Sequence, residues 1–178
     1  PIKPQKLFLF SPAIGITRFA AFSGLHRVLS FIPYFKKIAW ESIAPEYDPF
    51  KYNSFPKIAG HQLYQLTRLT QKKIDELQNN GKLERLPPIQ TFSSVVDSTV
   101  STPSLVTYLY DRLKPNGHEL ILFDVNRFSA LAPFVKDRHD TFLNRLKEPS
   151  NLPYTWTLVT NQTADTLRVV AETRDAGS

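Results

Sequence analysis

The chain has 178 residues, 42% hydrophobic and 21% charged, a composition typical of one soluble globular domain with a sizeable core. It has no cysteine, which excludes disulfides and thiolate metal sites, and no apolar run is long enough to span a membrane. Its net charge is +6, but residues 1–90 hold 13 Lys/Arg against 6 Asp/Glu, so the basicity is regional and argues against a protein that coats nucleic acid.

The first predicted element is a strand over Leu7–Phe10, ended by Ser11-Pro12. A short, continuous apolar run is typical of a strand that is buried on both faces, as in a parallel sheet. Residues 17–44 are rich in aromatic and small apolar side chains and predict two short helices. Three prolines between Pro45 and Pro56 exclude regular structure there.

The next elements alternate between helix and strand. A helix is predicted from Gly60 to Asn79-Asn80-Gly81, which ends it. One face of this helix is formed by Leu63, Leu66, Thr70, Ile74 and Leu77. Residues 89–96 predict a strand that ends at Asp97. Thr102 followed by Pro103 predicts a helix start with Thr102 as the capping residue.

The rest of the chain repeats the alternation and ends differently. The next helix buries Leu105, Leu109 and Leu113, a strand follows over residues 119–123, and a helix over 129–146. Two alternating segments, 154–160 and 167–173, predict a β-hairpin. The order of apolar strands and helices indicates the α/β class with a parallel sheet.

Two acidic residues follow predicted strands, where reactive groups collect in an open parallel sheet. Asp97 follows Ser-Ser-Val-Val, and Asp124 follows Leu-Ile-Leu-Phe. A short acid there can orient an imidazole by accepting its Nδ1–H. Position alone favours the simpler interpretation, in which either acid caps a turn or the following helix.

Three segments of the chain resemble the late half of the α/β-hydrolase fold: Phe92–Asp97 with Ser-Thr-Val after it, Thr102-Pro103, and His118–Asn126. Ser11-Pro12 after Leu7–Phe10 is similar to the strand that precedes the cap in that family. The segment Glu46–Pro56 is similar to lipase- and esterase-like bacterial members, and the whole resemblance covers roughly residues 6–128. It implies a parallel-sheet half of such a fold with a helical cap insertion and a C-terminal β-hairpin. One partial domain would divide into a core strand (1–16), the cap (17–88), core strands and helices (89–150) and the hairpin (151–178).

By this resemblance Asp97 is the triad acid, placed after the penultimate core strand. No Gly-x-Ser-x-Gly pentad is present, and the family order of Ser, acid and His puts the serine before residue 1. We expect His118 at the wrong edge of the sheet, His139 on a charged helical surface, and His26 and His61 in the cap. We therefore expect a piece of a longer chain, with the catalytic histidine beyond Ser178.

The implied function is that of a serine hydrolase fragment, supplying the acid and the cap for an ester or lipid-like substrate. The alternative is a non-catalytic α/β binding or interaction module in which Asp97 is a turn residue. The sequence predicts no cofactor and no metal site. Expected partners are the missing N-terminal half or a second copy, and no nucleic acid. Basic and aromatic residues at 17–40 also suit an anionic membrane surface, although ordinary packing of a cap on the core explains them too.

Overall fold

The computed structural model describes residues 4–15, 40–42, 55–97, 100–125, 138–148, 151–163 and 166–177. At 40–42, 55–58 and 138–140 the backbone alone is described. The predicted short helices at 17–44, most of the proline-rich stretch, and the side chains of His26 and His139 therefore lie outside the described residues. So does the basic, aromatic surface of the predicted cap.

Seven strands form two sheets in the described residues. The main sheet has five strands in the order β1-β4-β5-β6-β7, and their bounds are Leu7–Phe10, Ile89–Ser94, Glu119–Asp124, Thr155–Asn161 and Val169–Arg174. The first four are parallel, and β7 pairs antiparallel with β6. A small antiparallel pair joins β2 (Trp40–Ser42) to β3 (Phe55–Pro56). The α/β class with a mostly parallel sheet is confirmed.

In the part of the chain that the structure describes, three α-helices lie between the parallel strands in sequence. Helix α1 is Lys57–Asn79, α2 is Thr102–Tyr108 and α3 is Arg138–Lys147, with short 3₁₀ turns at Leu83–Arg85 and Tyr110–Arg112. Helix α1 ends as predicted, because Gly81 takes a φ of 61° and the Lys82 N–H donates to the Leu77 carbonyl at 2.8 Å. Its predicted stripe is wrong at Leu66, which is 58% exposed, while Thr67 and Ile74 are buried.

One hydrophobic cluster packs the helices onto a single face of the sheet, which we call the covered face. It joins apolar residues of all three helices to Ile89, Leu120, Leu122, Trp156 and Leu158. The Thr67 hydroxyl and the Gln71 amide of α1 donate to the carbonyls of Ala13 and Ile14 at 2.9 and 2.8 Å. This part of the predicted cap region therefore packs on the main core, and the cap boundaries at 17 and 88 stay a prediction.

The opposite face of the sheet, which we call the outer face, carries an apolar row. The strand register aligns Phe10, Phe92 and Ile121 across three strands, with Phe8 and Phe123 beside them. Phe10 stacks on Phe92 with ring centroids 5.0 Å apart. Ile121 is buried but belongs to the outer face and not to the main cluster.

The C-terminal hairpin is confirmed, but its place in the sheet corrects the predicted strand order. Strand β6 lies parallel beside β5 over its whole length, from the pair Glu119–Thr155 to the pair Asp124–Thr160. Strand β5 is therefore not the last core strand, and β4 is not the penultimate one as predicted. The alternation of apolar and polar residues in the two segments predicts that β6 and β7 pair with each other. It does not predict which strand lies on the other side of β6.

Candidate functional site

The loops after β1, β4 and β5 converge at the carboxyl-terminal edge of the parallel strands. The chain leaves β1 through Ser11, whose φ of 41° is unusual for a residue with a side chain. The Ser11 N–H donates to the Phe92 carbonyl at 2.8 Å, and the Val95 N–H donates to the Phe123 carbonyl at 3.0 Å. These bonds tie the three strand ends together and fix where the following loops start.

The loop after β1 touches the start of helix α2 at Gly15. The Ser101 N–H donates to the Gly15 carbonyl at 2.8 Å, and a Cβ on Gly15 would lie 2.0 Å from the Ser104 Cβ. Only glycine permits this approach, because the opposing atom is close to the helix backbone and cannot swing away. The contact anchors the segment that carries Asp97 on its C-terminal side.

Asp97 lies in the turn between β4 and α2, three residues beyond the end of β4. Its side chain is half-buried, and its Oδ1 accepts a hydrogen bond from the Val100 N–H at 2.9 Å. The predicted position at the carboxyl edge is therefore where the structure has it. This hydrogen bond closes the turn, and an aspartate with no part in catalysis can have the same role. Ser98 and Thr99 lie outside the described residues.

Asp124, the competing acid, lies at the same edge but in a different environment. It is the last residue of β5, it is 3% exposed, and its backbone carbonyl accepts a hydrogen bond from the Thr160 hydroxyl at 3.1 Å. Asp124 thus sits inside the sheet, whereas Asp97 projects from a loop beyond it. Arg127, a cation that follows Asp124 by three residues in the sequence, lies outside the described residues.

The capping residue at the start of α2 differs from the predicted one. Ser101, not Thr102, is the N-cap, and its hydroxyl accepts from the Ser104 N–H at 3.3 Å. The Thr102 hydroxyl is buried instead, where it donates to the Ser94 carbonyl at 2.7 Å and lies 3.0 Å from the Ser93 hydroxyl. Pro103 follows both Ser101 and Thr102 within two residues, so the sequence did not show which of the two is the N-cap.

His118 lies at the opposite, amino-terminal edge, as predicted. It is 3% exposed, and its Nδ1 accepts the Ile89 N–H at 3.1 Å while its carbonyl accepts the Thr155 N–H at 3.0 Å. These bonds join the starts of β4, β5 and β6. Burial lowers the pKa of His118, and a hydrogen bond to the Lys114 backbone partly opposes that shift. His118 is therefore a neutral structural residue remote from Asp97.

The other candidate features among the described residues are His61 and two cavities. His61 is in the second turn of α1, where its Nε2 lies 3.0 Å from the Gln65 amide nitrogen. Among the described residues there is no group of three metal-ligating side chains, and no described helix is long and apolar enough to cross a membrane. Two cavities, of about 270 and 180 Å³, lie near His118 and Tyr154 at the amino-terminal edge, away from Asp97.

Comparisons of this chain with protein-family models, with curated proteins and with solved structures found no match.

Proposed function

We propose that this chain supplies the acid of a Ser-His-Asp triad in a serine hydrolase that acts on an ester or lipid-like acyl substrate. Asp97 is the acid, and the nucleophilic serine and the catalytic histidine belong to other parts of the complete enzyme. The observation that carries the proposal is the location of Asp97, half-buried in a loop at the carboxyl edge of the parallel strands.

In this mechanism Asp97 never reacts covalently. The serine hydroxyl attacks the ester carbonyl while the imidazole takes its proton, and the imidazole later protonates the leaving alcohol. The Asp97 carboxylate accepts the Nδ1–H, which fixes the tautomer and stabilises the imidazolium that forms. The Val100 N–H, 2.9 Å from Oδ1, helps to fix the direction of the carboxylate.

The second candidate function is a non-catalytic α/β binding module. It is favoured by the same bond, because an aspartate that closes a turn on Val100 has a structural reason to be there. The strand order also favours it. A triad acid is expected after the penultimate core strand, whereas three strands follow β4 in the sheet. The two functions differ in one property: a triad acid needs its negative charge, and a turn acceptor does not.

Asp97→Asn separates them, because asparagine keeps an oxygen for the Val100 N–H and removes the charge. In the complete enzyme we expect kcat for a p-nitrophenyl ester to fall by roughly 10⁴, with little change in melting temperature. Asp124→Asn is the matched control at the same edge and should leave kcat nearly intact. A full-rate Asp97→Asn enzyme, or a well-folded but inactive Asp124→Asn enzyme, would show that Asp97 is not the acid.

A further inference from the structure

A cavity of about 180 Å³ lies at the amino-terminal edge of the sheet, where Tyr154 precedes β6. Its apolar lining comes from α2, α3 and the segment that leads into β6, through Val106, Phe142, Leu146 and Leu152. A water molecule takes roughly 30 Å³ in the liquid, so the cavity has room for a molecule of about six heavy atoms. Its size and lining suit a small ligand with an apolar part.

The Tyr154 hydroxyl is the buried polar group of this cavity. Tyr154 is 0% exposed, and its oxygen makes no hydrogen bond of ordinary geometry with the described residues. The ring packs edge-on against Tyr110, with centroids 4.9 Å apart, and the Tyr110 hydroxyl does have a partner, because it donates to the Glu119 carbonyl at 2.7 Å. A buried hydroxyl without such a bond costs free energy. The Tyr154 hydroxyl therefore indicates a ligand that supplies the missing partner.

The charges around the hydroxyl decide which kind of ligand fits. Asp111, Glu148 and Arg145 also line the cavity, so two carboxylates stand against one guanidinium. Arg145 donates to the Asp111 Oδ2 at 2.9 Å, but Arg145 is 61% exposed and Asp111 is 25% exposed, so solvent screens the cation more than the anion. Burial raises the pKa of Tyr154, and the Asp111 charge raises that pKa more than the Arg145 charge lowers it. A positive group is thus favoured beside the hydroxyl, and a carboxylate is disfavoured.

We propose that this cavity binds a small organic ammonium ion with a short alkyl chain. The ammonium group donates hydrogen bonds to the Tyr154 oxygen and to the Asp111 carboxylate, and the alkyl chain packs against Phe142 and Leu146. A single water would satisfy the hydroxyl, but it would fill only a small part of the cavity and would leave the apolar lining without contacts. The site lies away from Asp97 and goes beyond the proposed function.

Titration of the 178-residue chain with n-butylammonium tests the site, with the NMR signals of Tyr154 and Phe142 as the readout. n-Butanol and butyrate are the matched probes, because they carry the same type of chain with no charge or with the opposite charge. We expect the dissociation constant of n-butylammonium to be at least about tenfold lower than that of either probe. Equal affinity for the three would mean apolar adsorption only. That result, or the lack of a saturable shift at Tyr154 and Phe142, would overturn the proposal.

Two variants test the assigned contacts. Tyr154→Phe keeps the ring and removes the hydroxyl oxygen, and Asp111→Asn removes the negative charge. Each should raise the dissociation constant of n-butylammonium by at least about fivefold, because each weakens a hydrogen bond to the ammonium group. Tyr108→Phe is the control, since Tyr108 does not line the cavity and its ring lies under the Arg112 guanidinium. Unchanged binding by Tyr154→Phe would contradict the assigned contact.

The stability of the ligand-free protein gives a readout that does not depend on the choice of probe. Tyr110→Phe loses the bond to the Glu119 carbonyl and should unfold at a lower urea concentration. Tyr154→Phe loses no bond of ordinary geometry, so its urea midpoint should stay the same or rise. A fall as large as that of Tyr110→Phe would show that the Tyr154 hydroxyl is already bonded within the protein, and the proposal would fail. Asp97→Asn should leave n-butylammonium binding unchanged, so this test is separate from that of the triad.

Discussion

His118 shows how a single buried side chain ties strand ends together. Its Nδ1 accepts the Ile89 N–H, so the folded state needs the neutral tautomer with the proton on Nε2. Protonation of Nδ1 would remove this acceptor and would place a charge in a site that is 3% exposed. The pKa of His118 is therefore held below its ordinary value of 6.5, with burial as the main cause.

The direction of that shift predicts how stability depends on pH. Below pH 6.5 the unfolded state binds a proton that the folded state resists, so the contribution of His118 is complete above pH 6.5 and is lost as the pH falls below it. Urea unfolding at pH 7.5 and 5.5 measures this loss. His118→Asn keeps an acceptor for the Ile89 N–H and cannot titrate, so it should be less stable than the wild type but should lose less stability on acidification. Equal losses in both proteins would contradict this role.

Gly15 is the residue at which a single methyl group has the clearest predicted effect. Gly15→Ala would bring its Cβ to 2.0 Å from the Ser104 Cβ, so helix α2 or the loop after β1 must shift. We expect a loss of about 1–3 kcal/mol in the free energy of unfolding, as for other overpacked sites. Ser104→Gly removes the opposing carbon, so the double variant should be more stable than the sum of the two single effects. Additive effects in chemical denaturation would show that the two residues do not meet.

At the scale of elements, the start of helix α2 depends on Ser101. Its hydroxyl accepts the Ser104 N–H at 3.3 Å and the Ser104 hydroxyl at 2.8 Å. Ser101→Ala should lower the free energy of unfolding by about 1 kcal/mol, the usual cost of losing an N-cap. Ser104→Ala is the control, because it removes one hydroxyl and leaves the cap on the backbone N–H. A smaller loss for Ser101→Ala than for Ser104→Ala would contradict Ser101 as the cap.

Strands and helices with strong local patterns were predictable from the sequence. Leu7–Phe10 is a strand because four apolar residues stop at Ser11-Pro12, and α1 ends where Gly81 can adopt a positive φ. The prediction that this strand is buried on both faces is wrong, because Phe8 and Phe10 are 57% and 72% exposed on the outer face. The burial of Leu105, Leu109 and Leu113 also followed from their spacing. Leu66 was assigned to the buried stripe of α1, but the polar Thr67 is buried in its place, because the Ala13 carbonyl gives its hydroxyl a partner.

The order of strands and the close contacts of the candidate site were not predictable in the same way. The position of β6 beside β5 depends on a crossover between distant segments, and periodicity within each segment does not encode it. The contact between Gly15 and Ser104 joins residues 89 positions apart, and the sequence showed only an isolated glycine after a strand. The placement of Asp97 at the carboxyl edge was predictable because it follows from one strand alone.

At the scale of the whole molecule, the sheet is asymmetric. Among the described residues, its covered face carries three helices and one continuous cluster, and its outer face carries the exposed rings of Phe8, Phe10 and Phe123. Asp97 lies at the carboxyl ends of the parallel strands, where ligands bind in open α/β sheets. The proposed acid is therefore in the loop after β4, the neighbour of the edge strand β1.

The proposed function predicts that the 178-residue chain is inactive alone, because it holds the acid of the triad and not the nucleophile. The chain contains no Gly-x-Ser-x-Gly motif, so the purified chain should hydrolyse p-nitrophenyl esters no faster than the buffer does. A complete enzyme that supplies the serine and the histidine should turn the same ester over, and Asp97→Asn should abolish nearly all of that rate. Asp124→Asn measured in parallel separates loss of the charge at Asp97 from a general disturbance of the carboxyl edge. Turnover by the short chain that survives Asp97→Asn would mean that its chemistry comes from other residues and that Asp97 closes a turn.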